Sequence, residues 1–478
     1  MNRRKLLKLG SLATLTSTSN LASIASAEGI KGRNIVFIAL DDLNDWIGCL
    51  GGHPDTRTPN LDRLAEKGLL FSNAHTPAPY CNPARSSILS GLYPASSGIY
   101  LGETLQTRLP TTATLTEHFM QYDYEVIGAG KIFHLEGNET ESRWHDFTHF
   151  QRAAGEKRRN PPLHGISELS PGDTLDWGVV DMDEQEFADW AVADWAVGEL
   201  NKPHNRSFFM GVGFFHPHLP WYVPRKYSER FPPDKITLPA TSEHDLEDIP
   251  SYARGLASRT PFPLPDALSE HQRIVRHGQW RNAVSCYLAA VNFADTLVGR
   301  VVDALARSRY AQDTILIVWS DGGFHLGEKQ HWRKFSLWER GTRSPLLFYA
   351  PGITRAGSRC VRPVSLTDLY PTLLDLAGLP KPGHKLDGHS LLTLMANPTA
   401  EWPHVALTTH LPNNHAVRSE RWRYIRYHDG SEELYDHEND PMEWKNLAAD
   451  AALRRIKQEL AAHMPQQVAK LPRKRPPR

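Results

Sequence analysis

Carboxylates, cations and imidazoles punctuate this chain directly after its apolar runs. Asp41-Asp42 follows the run Asn34 to Leu40, and Lys131 with His134 follows residues 125–129. His216 and His218 follow residues 207–214, and Asp321 follows residues 313–320. Three carboxylates at neighbouring strand ends repel one another unless a cation lies between them. Hard oxygen donors of this kind suit Ca²⁺ or Mg²⁺. Between the first two sets lies Cys81-Asn82-Pro83-Ala84-Arg85, continuing into Leu89-Ser90-Gly91. Proline is tolerated in a first helical turn, so the spacing predicts a helix over 84–90 with Cys81 at its entrance. A nucleophile placed there faces unpaired backbone N–H groups and the positive end of the helix dipole, which favours an anionic substrate.

An Asp after a strand is by itself an ordinary turn residue, and a cysteine is by itself an ordinary core residue. The weight comes from the elements that must bring these residues together. Residues 34–40, 125–129, 207–214, 313–320 and 345–349 read as buried strands. They alternate with helical stretches at 59–67, 114–121, 184–200, 285–307 and 367–376. That alternation predicts an α/β architecture with a mostly parallel central sheet sandwiched by helices. In such sheets ligands bind outside the carboxyl ends of the strands, where all four charged sets fall. Residues 136–181 and 222–276 read as surface loops. Beyond about residue 400 the pattern changes. Residues 422–427 and 433–435 alternate like a small antiparallel sheet, and residues 450–464 read as a helix. The division is therefore a main domain over 33–400 and a smaller C-terminal α+β subdomain over 401–478, ending in a basic, proline-containing tail.

Lys plus Arg equal Asp plus Glu at 54 each, which gives no basis for a nucleic-acid partner. No apolar run in the mature part is long enough to span a membrane. The N-terminus reads as an export signal over 1–27. A basic start around Arg3-Arg4 is followed by a weakly apolar stretch and a small-residue site, Ala25-Ser26-Ala27. The Arg-Arg pair resembles a bacterial twin-arginine signal, which predicts a periplasmic or secreted protein. Four cysteines are too few and too widely spaced for a disulfide scaffold, and Cys49, Cys286 and Cys360 read as small buried apolar side chains.

With these motifs the chain resembles the formylglycine-dependent sulfatases of the alkaline-phosphatase-like superfamily, and most of all the iduronate-2-sulfatase-like branch with its bacterial relatives. The resemblance runs from about residue 34 to 447. It rests on Asp41-Asp42-Leu43, Cys81-x-Pro83-x-Arg85, Gly130-Lys131-Ile132-Phe133-His134, Pro217-His218-Leu219-Pro220, Ser320-Asp321 through Lys334, and Glu433-Leu434-Tyr435-Asp436. It implies that a formylglycine-generating maturase converts Cys81 into the nucleophile and that Arg85 holds it. It implies one divalent cation, Ca²⁺ ahead of Mg²⁺, bound by Asp41, Asp42, Asp321 and the side chain at Cys81. His134 would be a base, while Lys131, His218 and Lys334 would neutralise charge on the sulfate and the leaving oxygen. The implied substrate is a sulfated carbohydrate of uronate or glycosaminoglycan type.

Two departures carry consequences. Family members place a ligating side chain after the motif's Asp, whereas this chain has Gly322. A cation site there is one ligand short, which predicts weakened metal binding and lowered activity; His325 lies near enough in sequence to be considered as a substitute. His216 stands where relatives carry Lys or Arg before the proline, which predicts a pH-dependent substrate affinity. His331, Trp332, Asn414 and His415 are placed to face a sugar or to pack. Two other readings stand beside the sulfatase: a phosphate or phosphonate monoesterase of the same superfamily, and a weakly active or non-catalytic binder of sulfated glycans.

Overall fold

The strand Asn34–Leu40 is the axis of the molecule. All seven of its residues are buried, because the strand is covered on both faces. Val36, Ile38 and Leu40 point into one core, and Ile35, Phe37 and Ala39 into another. The first core lies under the helices Pro59–Lys67, Ala188–Asn201 and Trp280–Arg307. The second lies under Cys81–Ser90, Leu115–Met120 and Leu369–Ala377. This computed structural model describes residues 32–134, 142–157, 159–166, 168–169, 175–257 and 268–471. The expected export signal and the end of the basic tail lie outside the described residues.

The main sheet has eight strands, in the order Ser358–Cys360, Leu69–Phe71, Leu346–Tyr349, Thr314–Ser320, Asn34–Leu40, Phe208–Gly213, Glu125–Gly130, Asp146–Thr148. Pairing is parallel except where Leu346–Tyr349 meets its two neighbours. The expected helix-sandwiched, mostly parallel sheet is therefore what forms, with one reversed strand. The stretches expected to be loops are more ordered than their sequences suggest. Trp177–Val180 and Trp221–Pro224 pair as a small parallel sheet, and Glu270–Arg276 is helical.

The C-terminal part is an antiparallel sheet of four strands, Ala406–Thr409, His415–Arg418, Trp422–Arg426 and Glu432–Asp436. Leu407, Val417, Tyr424 and Leu434 pack on Leu460 and Met464 around the helix Arg454–Ala461. Its first strand docks on the loop that leads into Cys81. Thr408 Oγ1 donates to the Thr76 carbonyl at 2.6 Å, and the Thr409 N–H donates to the Pro77 carbonyl at 2.9 Å. A second joint is ionic. Glu339 accepts from Arg418 at 3.1 Å and also from Arg423, whose Nε lies 2.7 Å from Glu443. Glu339, His437 and Glu443 crowd together there, but Arg418 and Arg423 meet their charge.

Candidate active site

Four parallel strand ends deliver their charged residues to one place. Asp41 and Asp42 leave Asn34–Leu40, Lys131 leaves Glu125–Gly130, His218 follows Phe208–Gly213, and Asp321 leaves Thr314–Ser320. Oxygens of Asp41, Asp42 and Asp321 lie within 4.8 Å of one another, and these three side chains are almost wholly buried. Asp41, Cys81 and His218 form a second overlapping set at the same spacing. Asp42 sits in the left-handed region at φ 58°, its N–H on Asp321 Oδ1 at 3.1 Å and its carbonyl on the Tyr287 hydroxyl at 3.0 Å. A strained backbone held by two neighbours fixes that carboxylate in place.

The helix begins at Cys81 itself rather than three residues later, with Tyr80 as an extended N-cap that offers no side-chain hydrogen bond. Gly91 closes it at φ 71°, where a Cβ would collide with Leu386. Cys81 is buried, and its Sγ lies 2.8 Å from Lys334 Nζ. The same ammonium is 2.6 and 2.8 Å from the two oxygens of Asp42. Arg85 is one helical turn beyond Cys81. Its Nε binds Asp321 Oδ2 at 2.6 Å, Nη2 lies 3.4 Å from Asp41, and Nη1 binds the carbonyls of Lys131 and Ile132. Lys131 Nζ pairs with Asp41, and His218 Nε2 lies 3.5 Å from Asp42 Oδ2. The His134 ring lies 5.8 Å from Tyr80, and its buried Nδ1 has no partner among the described residues.

Burial and charge set the protonation states. Burial pushes the Asp41 carboxyl up, but Lys131, His218, Arg85 and Lys334 outweigh it and hold the group well below its usual range. Burial, helped by Asp41 and Asp42, lifts Asp321 to about 7 despite Arg85. Burial opposes charge on Lys334 and Lys131, but the carboxylates and Cys81 outweigh it, so both stay cationic. Burial lowers His134 to about 3, with Lys131 adding to it, and lowers His218 to about 4 against the pull of Asp42. Both imidazoles are therefore neutral near pH 7.

The donor set fits a hard divalent cation. Asp41, Asp42 and Asp321 converge as buried oxygen ligands, and the charges now balancing them are the Lys131 and Lys334 ammonium groups and Arg85. Gly322 is buried beside them, and a Cβ built on it meets nothing within 4 Å. His325 does not stand in for the missing side chain. Its Nε2 lies 2.7 Å from Ser336 Oγ, and its ring packs on His331 and Trp338. The expectation for His216 is corrected too. Its Nδ1 binds Asp189 Oδ2 at 2.7 Å and its ring meets Phe187 and Phe293, so it faces the core and not a substrate. His331 and Trp332 are likewise spent on Lys334 O and His271, while His415 Nδ1 meets Thr409 and its buried Nε2 has no partner among the described residues.

Sequence reasoning missed Thr76, whose hydroxyl donates to the Asp321 carbonyl at 2.7 Å, and Tyr287, which holds Asp42. Neither has a motif. It also missed Tyr80 and Phe335, whose adjacency to Cys81 and Lys334 was the available signal.

The family model described as "Sulfatase" matches residues 33–379, and one described as "N-sulphoglucosamine sulphohydrolase, C-terminal" matches residues 327–470. A sulfatase of Formosa agariphila is 36% identical over 449 residues, covering 90% of this chain and 86% of the relative. Iduronate 2-sulfatase of Mus musculus is 29% identical over 427 residues, covering 78% of this chain and 74% of its own length. Among solved structures, BT4656 in complex with its substrate D-glucosamine-2-N,6-O-disulfate aligns with a TM-score of 0.71 at 22% identity, over 90% of this chain and 96% of that one.

Proposed function

The chain belongs to the sulfatase family, the sulfuric ester hydrolases, and from that premise we propose that it is an exported enzyme hydrolysing sulfate monoesters of a carbohydrate. The nucleophile is the residue at Cys81 after conversion to formylglycine, and one divalent cation, Ca²⁺ ahead of Mg²⁺, is held by Asp41, Asp42 and Asp321. The observation that carries this reading is the setting of Cys81. It opens a helix, lies 2.8 Å from Lys334, and adjoins three convergent carboxylates. As a plain thiol it would serve poorly, since burial pushes it up to about 12 even beside Lys334.

Formylglycine, once made, supplies a hydrated aldehyde with two oxygens on one carbon. A bound divalent cation supplies polarisation of the ester's oxygens. The remaining work falls to the chain's own residues. Lys334 sits between Cys81 and Asp42 and holds positive charge where the sulfate must lie. Lys131 does the same from the Asp41 side. Arg85 ties Asp321 and Asp41 to the nucleophile helix, so the carboxylates and the helix entrance keep one geometry. His134, a neutral ring beside Tyr80 whose Nδ1 has no partner among the described residues, is the base of this reading. His218, also neutral, is placed to hydrogen-bond at the leaving oxygen rather than to carry charge.

The relatives' names support a sulfated uronate or glycosaminoglycan-like saccharide as substrate. The basic N-terminus with Ala25-Ser26-Ala27 supports export. Peptide mass spectrometry across Cys81, after co-expression with a formylglycine-generating maturase, should find the thiol replaced by an aldehyde. Hydrolysis of a sulfate ester, but not of the phosphate ester of the same alcohol, should follow. An unmodified, inactive Cys81 protein would sink the reading. Gly322 favours a second reading, a weakly active or non-catalytic glycan binder, and that reading predicts sulfated-glycan binding without turnover.

A further inference from the structure

The segment around Lys334 stores backbone strain. Lys329 at φ 52°, Gln330 at 50°, Arg333 at 73° and Phe335 at 73° all adopt the left-handed conformation. Such residues persist where surroundings over-determine them, and they gather at functional sites. Here the segment is pinned from several sides. Lys329 pairs with Asp245 at 2.8 Å, Arg333 with Glu270 at 2.7 Å and Lys334 with Asp42 at 2.6 Å. Trp332 Nε1 donates to His271 at 3.1 Å, and the Phe335 N–H donates to the Pro79 carbonyl at 3.1 Å.

The strain around Lys329 to Lys334 seats a catalytic cation. At Phe335 it does something else. It turns a large ring away from the core and leaves it half-buried, with its centroid 5.3 Å from that of half-buried Tyr80. The Tyr80 ring is flanked by His134 at 5.8 Å and Lys334 Nζ at 5.9 Å, so the pair stands beside the nucleophile. His410, at the end of the docked C-terminal strand, lies 6.2 Å from Phe335. Holding a bulky residue in a costly conformation to leave apolar surface uncovered is a poor packing solution. It is a good solution for a surface that a ligand covers. The neighbour of a sulfate at this site is the alcohol that carries it, and the C–H face of a pyranose is the apolar surface that stacks on aromatic rings.

We propose that Tyr80 and Phe335 form the leaving-group subsite, stacking the ring of a cyclic sulfated alcohol. The inference rests on the sulfatase reading and deepens it by naming the side chains that hold the substrate's ring. The test compares a sulfated pyranoside with an acyclic alkyl sulfate, using protein whose Cys81 conversion has been confirmed by mass spectrometry. Phe335→Ala and Phe335→Gly should each raise the ratio of pyranoside KM to acyclic KM by about 3- to 10-fold. Phe335→Tyr should keep that ratio within about twofold of the parent. The glycine variant guards against misfolding, since glycine adopts the left-handed backbone freely. A ratio unchanged in both truncations, or KM values for the two esters rising together, would overturn the subsite while leaving the sulfatase reading intact. A parent protein that hydrolyses neither ester would overturn the sulfatase reading itself.

Discussion

Gly322→Asn asks whether the cation site is a ligand short. Gly322 follows Asp321 at a central strand end, and a Cβ there meets nothing within 4 Å. Its φ lies outside the left-handed region, so the new side chain enters without backbone strain. Three carboxylates are presently matched by Arg85, Lys131 and Lys334, and a cation must compete with those charges. Each further neutral oxygen therefore matters. A group supporting a metal site is worth about 10- to 100-fold in affinity, or about 1.4–2.7 kcal/mol. Ordering the new side chain takes back about 1 kcal/mol. The expected outcome is a Ca²⁺ Kd lower by about 2- to 20-fold, read by titration calorimetry. A larger Ca²⁺-dependent rise in melting temperature should accompany it. Identical Kd values for the parent, Gly322→Asn and Gly322→His would refute the idea that a ligand is missing.

Three further outcomes follow from the same geometry. Lys334→Met removes the ammonium between Cys81 and Asp42 and should lower kcat by about 10²- to 10³-fold in steady-state assays, as loss of a preorganised charge partner does; a kcat within threefold of the parent would remove Lys334 from the chemistry. Glu339→Gln should cost about 3–5 kcal/mol at pH 7 by chemical denaturation, because it leaves the buried Arg418 without its carboxylate and Arg423 with Glu443 alone. Burial pushes the Glu339 carboxyl up, yet Arg418, His437 and Arg423 hold it well below 4.5. Its stabilisation is therefore present above about pH 4.5 and lost as pH falls through the lower folded value, so the variant should show a shallower acid limb. His216→Gln loses the bond to Asp189 and about 1–3 kcal/mol of stability, and the pH profile of KM should not move; a profile that changes shape would return His216 to the substrate.

The sequence by itself marked the long strands of the sheet, because strands covered on both faces need unbroken apolar runs such as Asn34 to Leu40 and Thr314 to Ser320, whereas the short strands Leu69–Phe71, Asp146–Thr148 and Ser358–Cys360 came only with tertiary pairing. It also determined which strand ends carry chemistry, since charge placed directly after such runs has to emerge at their carboxyl ends. Tertiary structure decided what each group is paired with. His216 and His218 are two residues apart and chemically alike, yet one is bonded to Asp189 in the core and the other stands by Asp42. Protonation followed from the same cause. Burial and neighbouring cations make His218 neutral and keep Asp41 charged, and neither neighbour is local in sequence. Thr76, Tyr287 and Phe335 reach the site through contacts across long stretches of chain or through a strained backbone, neither of which leaves a periodicity to read. Residue types and spacings encode what can be present at a site, while pairing, desolvation and strain are properties of the packed whole.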